Sequence, residues 1–360
     1  MRVCAKTPWP KRARSVASRG GPRLPPPCCD LLSRCFSIKY FTYANLLEKA
    51  GLHGDSPLRR LFDALSTLDF EVVVHALEGA ALVEQTYNKE KRATILSSEA
   101  DKLRRALVHA VRVVHPAHRE NIEGEIPACI NFLSQFDVVF TLNYDLLLYW
   151  VILEDTKRFM DGFGLAEDRN GFRWPFKIDA YCNIYNLHGG LHLFKTTDNE
   201  VEKRIDQGSG VIDAIASTIL EAKRLPVYVA EGSTTQKLAH IYAVPYLRHC
   251  YEKLQQSKNA FFVYGHSAGA NDTHVYDALF KSEISHLYFC VHRPTANVAR
   301  IDGELARYQK RNESAIQVHT GRCGNSKCLG VGIPHRMIHK KLSAECRAEG
   351  ARRVRFNGIC

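Results

Sequence analysis

Apolar residues in the first third of the chain recur at three- and four-residue intervals. Phe41, Leu46, Leu47, Leu58, Leu61, Phe62 and Leu65 follow this spacing, and so do Leu103, Ala106, Leu107, Ala110, Val111 and Val114. That period is the signature of amphipathic helices, expected to fill 41–135 with breaks near 51–56 and at Pro116. The pattern changes at 138–142, a short run of β-branched and aromatic residues that reads as a buried strand. Asn143-Tyr144-Asp145 interrupts it, and the apolar run at 146–153 has helical length. Further strands are expected near 182–187, 227–230, 260–264 and 286–291. Helical patterns at 211–224, 238–255 and 273–281 separate them, and a last helix at 297–311 closes the regular part. Strands alternating with helices predict an α/β fold, a doubly wound parallel sheet with a mainly helical insertion on its amino-terminal side.

Charge and cysteine usage divide the 360 residues into a body and two ends. The net charge is +11. Residues 1–40 carry +8 and residues 321–360 carry +7, which leaves −4 for residues 41–320. Basicity confined to the ends does not make the body a nucleic-acid binder. Of the twelve cysteines, only Cys129, Cys182, Cys250 and Cys290 fall in the body, widely spaced, as free thiols of a reducing compartment are. No apolar run approaches the ~18 residues that would span a bilayer, and no secretory apolar region opens the chain. A cytoplasmic protein without a membrane partner is expected, and self-association stays open. The Pro- and Arg-rich start and the basic, Cys-containing end lack apolar periodicity. The expected division is therefore a disordered tail at 1–32, an α/β domain at 33–318 and an unstructured tail at 319–360.

Three polar clusters follow predicted strands: Thr141-x-Asn143-x-Asp145, then Asn186-x-His188-Gly189, then Gly265-x-Ser267 with Asp272 beyond it. In a parallel sheet such strand ends converge on one crevice, where α/β proteins bind ligands. Histidine exchanges protons near neutral pH, asparagine positions water or an amide, and carboxylates accept ribose hydroxyls. Each also has a plain structural use: Asn and Asp cap helices, and a lone histidine is most often a satisfied core residue. His192, Asp161-Gly162-Phe163-Gly164 and Glu231-Gly232-Ser233 invite the same two readings. The body holds no zinc-hydrolase ligand spacing and no Gly-x4-Gly-Lys-Ser/Thr phosphate loop, so no zinc is expected in the core.

Thr141-Leu142-Asn143-Tyr144-Asp145, His188-Gly189 and Gly265-His266-Ser267 match, in order, the motifs of sirtuin-like domains. The chain resembles most an uncharacterised bacterial family of sirtuin-like proteins, related to the NAD-hydrolysing domains of antiphage defence systems. The resemblance implies a Rossmann-like NAD-binding core and cleavage of the nicotinamide–ribose bond of NAD. It makes Asn143 the catalytic amide, His188 the general base and Asp145 a polar neighbour of the nicotinamide side. Phe36, Ser37, Thr141, Gly189, Gly265, Ser267 and Asp272 would contact the nucleotide. The chain departs from the pattern twice. Ser33-Arg34-Cys35 stands where the family has a glycine-containing turn, and no cysteine lies between His188 and Cys250, so the zinc module of sirtuin deacetylases is absent. Two other readings stand beside this one. A module of the same fold would bind a nucleotide without cleaving it. Alternatively, Gly265-His266-Ser267-Ala268-Gly269 matches the Gly-x-Ser-x-Gly elbow of α/β-hydrolases, with Ser267 as nucleophile. In the end segment, Cys323, Cys328, His335 and His339 are zinc-ligand types at a spacing short for a finger.

Overall fold

A computed structural model describes residues 43–52, 54–164, 171–206, 210–229, 233–291, 296–322 and 356–359. Phe36, Ser37, Glu231, Gly232 and the Cys323–His339 cluster lie outside these residues, as does most of both basic ends.

The amino-terminal region is helical: α1 Tyr43–Lys49, α2 Pro57–Ala64, α3 Phe70–Thr86, α4 Glu90–Val114 and α5 Ile126–Leu133. Local chemistry sets several of these starts. Ser56 caps α2 by accepting the Arg59 N–H, with Pro57 in the first turn, and Asp69 caps α3 by accepting the Glu71 N–H. α4 ends one residue before His115 and two before Pro116. The apolar faces of α3 and α4 bury Phe70, Val73, Val74, Leu103, Leu107 and Val111 in one cluster with α1 and α2.

The body follows as β1 Val138–Thr141, α6 Leu147–Ile152, β2 Phe172–Arg173, β3 Ile184–Asn186, β4 Gly189–Lys195, β5 Val201–Arg204 and α7 Val211–Leu220. Next come β6 Pro226–Tyr228, α8 Thr234–Ala243, α9 Pro245–Gln255, β7 Lys258–Tyr264, α10 Thr273–Phe280, β8 Glu283–Val291, α11 Ala296–Arg311, β9 Gln317–Arg322 and β10 Phe356–Ile359. Six strands form one sheet in the order β3-β1-β10-β7-β8-β9, every neighbouring pair parallel. Side chains alternate between its faces with the period of two that strands impose. Val139, Ile184, Tyr264 and Cys290 join the cluster of the helical region and α6. Phe140, Tyr185, Phe261, Val263, Leu287 and Phe289 join a second cluster with α9, α10 and α11. Helices thus cover both faces of a mixed α/β body.

Three expectations need correction. The strand at 226–228 does not enter the parallel sheet; it pairs antiparallel with β4 in a second sheet ordered β2-β5-β4-β6. β4 itself was not foreseen, because Gly189-Gly190 reads as a turn. The helix expected at 238–255 is two helices, divided where Pro245 cannot continue α8 and opens α9 instead. Two strands fall in the segment expected to be unstructured: β9 runs to Arg322, and β10 is central in the parallel sheet. Four residues with no apolar periodicity of their own gave no sign of that position.

Candidate functional site

β1, β3 and β7 are parallel members of one sheet, so the three polar clusters that follow them share its carboxyl edge. β1 and β3 pair Thr141 with Asn186, and the Leu187 N–H donates to the Thr141 carbonyl at 2.9 Å. Asn143 and His188 therefore each lie two residues beyond a paired position, on neighbouring strands.

The turn after β1 is held by a series of hydrogen bonds. Thr141 Oγ1 accepts the Asn143 N–H at 3.0 Å, turning the chain, and the Leu191 N–H donates to the Tyr144 carbonyl at 2.8 Å. Asp145 Oδ1 accepts the Leu147 N–H at 2.9 Å at the start of α6. Burial pushes the Asp145 carboxyl up to about 6, against the lowering effect of that hydrogen bond. His115, at the end of α4, accepts the Leu146 N–H on Nε2 at 3.0 Å, and its Nδ1 lies 2.8 Å from the Pro116 carbonyl. A carbonyl only accepts and an N–H only donates, so His115 carries its proton on Nδ1. Burial lowers its pKa to about 4. Thr141 and Asp145 are thus committed to the turn, whereas Asn143 is half-buried at its tip.

His188 follows β3 and is buried, at 6% exposure. Its carbonyl accepts the Val229 N–H at 2.9 Å, and Asn186 just before it is bonded to Tyr246 Oη at 3.0 Å. Gly189 has φ of +74°, and a Cβ there would lie 2.1 Å from the Val227 carbonyl oxygen. The close approach of β6 demands this glycine, which accounts for it without a nucleotide.

The His188 Nε2 faces His274 Nε2 at 3.0 Å. The rings are within 17° of parallel and their centroids are 5.3 Å apart, a separation equal to the N···N distance plus two ring radii. The two lone-pair axes are therefore collinear, the geometry of one N–H···N hydrogen bond with a single shared proton. Burial and the neighbouring imidazole hold His188 well below the usual histidine range; burial lowers His274 to about 4. Both rings are neutral near pH 7.

The loop after β7 closes the other side. Gly265 has φ of +68° and Ala268 +54°. His266 Nδ1 accepts the Ala268 N–H at 3.1 Å, which leaves its proton on Nε2 to donate to Asp272 Oδ2 at 3.1 Å. Asp272 Oδ1 accepts from the buried Lys237 Nζ at 2.8 Å. Burial alone would raise Asp272, but the His266 hydrogen bond, the neighbouring histidines and Lys237 together hold it far below the carboxylate range. One ligand atom from each of His188, Asp272 and His274 lies within 4.8 Å of the others.

Ser267 is exposed; its carbonyl accepts from Arg300 at 2.8 Å, and its hydroxyl makes no hydrogen bond to a histidine among the described residues. A 3-10 turn at Ala270–Asp272 separates it from α10, so the sharp strand-to-helix turn of a nucleophile elbow is not formed here. Asp161 is locked to Lys203 at 2.5 Å, and His192 is buried against Tyr149. Ser233 caps α8 with Gln236. These are structural uses.

Sequence reasoning missed His274, Lys237 and His115. His274 lies 86 residues from His188, and no local spacing links them. The one available signal was Asp272-x-His274 just after the third cluster.

Residues 31–325 match the family described as Domain of unknown function (DUF4917). No curated protein matches the chain.

Proposed function

The chain belongs to the DUF4917 family, and within that family we propose a sirtuin-like, Rossmann-like site that binds NAD across the carboxyl edge of the parallel sheet and hydrolyses its nicotinamide–ribose bond. The observation that carries this reading is the buried His188–His274 pair beside the turn that bears Asn143. When His188 donates its Nε2 proton to His274, its lone pair is on Nδ1. That nitrogen is the base that takes a proton from a ribose hydroxyl. The imidazolium so formed keeps its Nε2–H on His274, and the nearby Asp272 carboxylate offsets its charge.

Breaking the glycosidic bond builds positive charge on the ribose, as in other glycoside cleavages. Asn143 holds the attacking water or the carboxamide in line, from a backbone fixed by Thr141. Asp145 acts through the turn it caps rather than on the substrate. The half-buried tip at Asn143 and the exposed Ser267 give the nucleotide two open edges, and Ser267 meets a ribose. The same reading takes the activity to be cytoplasmic, with a role in defence by depleting the nucleotide. A module that binds NAD without cleaving it would use the same edge but would not need His188 to titrate.

The test is incubation with NAD and detection of free nicotinamide. Asn143→Ala should remove nicotinamide release while leaving NAD affinity within a few-fold of the parent, whereas Ser267→Ala should weaken binding more than turnover. Release that survives Asn143→Ala refutes the assignment.

A further inference from the structure

Three side chains meet at this edge that are metal ligands by type and come from two separate elements. The imidazoles of His188 and His274 are 6% and 1% exposed, and the Asp272 carboxylate completes the set within 4.8 Å. Two neutral imidazoles and one carboxylate form the protein part of an open three-ligand site for zinc and similar dications. We infer that His188, Asp272 and His274 bind a zinc-class dication, and that its occupancy switches off His188 as a base. The switch rests on the proposed NAD reading; the binding does not.

The distances permit it. Two nitrogens at ~2.0–2.1 Å on one tetrahedral zinc stand about 3.3 Å apart, against 3.0 Å here. A small opening of the pair and a swing of each ring off the shared axis bring both Nε2 lone pairs onto the ion. Asp272 already accepts from Lys237 and His266, one on each oxygen, and each oxygen keeps a further lone pair. Protons balance without release. The proton shared between the two Nε2 atoms moves to Nδ1 of its own ring, so that each neutral imidazole carries one proton on Nδ1 and donates its Nε2 pair. His188 then presents an N–H where its base lone pair was, and proton abstraction stops. Two features keep the affinity below that of a structural zinc site. Lys237 brings a positive charge next to Asp272, and His274 Nδ1 has no hydrogen-bond partner among the described residues to receive its proton. A reversible, inhibitory ion fits these constraints better than a permanent one.

Equilibrium dialysis against Co2+ tests this on the full chain. Cys323→Ser, Cys328→Ser, Cys346→Ser and Cys360→Ser are introduced to remove the thiols of the end segment. The expected result is one equivalent of cobalt, with a d–d spectrum free of a thiolate charge-transfer band. Affinity should fall at least ~10-fold in His274→Gln and in Asp272→Asn, with far-UV circular dichroism unchanged. Where either variant loses the fold, His188→Gln, altered on the other element, takes its place and should show the same fall in cobalt affinity. Added Zn2+ should suppress nicotinamide release by the parent over the concentrations at which it displaces cobalt. No uptake, or uptake that both variants retain, overturns the site. Uptake without inhibition overturns the switch. A chain that takes up cobalt at these residues but never releases nicotinamide keeps the site and defeats the NAD reading instead.

Discussion

Asp145 is a buried carboxyl that accepts a backbone N–H on Oδ1, and it gives the turn after β1 a definite pH signature. Burial raises its pKa from 3.8 to about 6. A carboxyl raised on folding favours the protonated form, so its contribution is fully present below the unfolded pKa. It is lost as pH rises through the folded value. The shift corresponds to about 3 kcal/mol, at 1.36 kcal/mol per pKa unit. About half of it, roughly 1.4 kcal/mol, is lost between pH 5 and pH 7.5. Asp145→Asn keeps an oxygen for the Leu147 N–H and cannot ionise. Subtracting the parent's stability from the variant's at each pH cancels every other titrating group, including His115 beside the same turn, whose contribution runs the opposite way. Urea denaturation followed by tryptophan fluorescence, with Trp150 in the core next to this turn, measures both proteins. The variant should gain on the parent as pH rises from 5 to 7.5 and then level off. A difference that is flat, or that falls with pH, would mean that Asp145 is stabilised as an ion and that this reading of the turn is wrong.

Gly189→Ala places a methyl group against the Val227 carbonyl at a positive φ, and should cost more than about 2 kcal/mol; near-parental stability in urea would show that β6 can move aside. His115→Leu leaves the buried Leu146 N–H without its acceptor, a loss of ~1–3 kcal/mol by the same assay; an unchanged midpoint would show that the helical region does not pin the turn. Truncation after Arg355 removes the strand between β1 and β7 and should lower stability by ~1 kcal/mol for each net backbone bond lost; an unaffected denaturation curve would mean that this slot is filled by other residues.

The strand–turn–helix after β1 and the three edge clusters were legible because each is local. A short apolar run, a polar break and a resumed helical period occupy one window around 138–153. The helical region was legible for the same reason. What was not legible depends on pairing between distant residues. β6 has the composition of a buried strand but joins β4, since Gly189 lets the chain reverse after His188 and the two come into contact. His274 reads as a helix residue until the fold brings it to His188, and Lys237 until it meets Asp272. The engagement of both Asp272 oxygens within the protein, by Lys237 and His266, was likewise not legible. Nor was it legible that Gly189 is required by the close approach of the Val227 carbonyl.

The central claim is that His188 is the base of an NAD-cleaving site. The parent and His188→Gln are incubated with NAD, and free nicotinamide is quantified by chromatography, with denaturation curves confirming that both are folded. Loss of a general base costs about 10²–10⁴-fold in rate, so release by the parent should fall by at least two orders of magnitude in the variant. Equal release by the two folded proteins, or none by the parent, would contradict it.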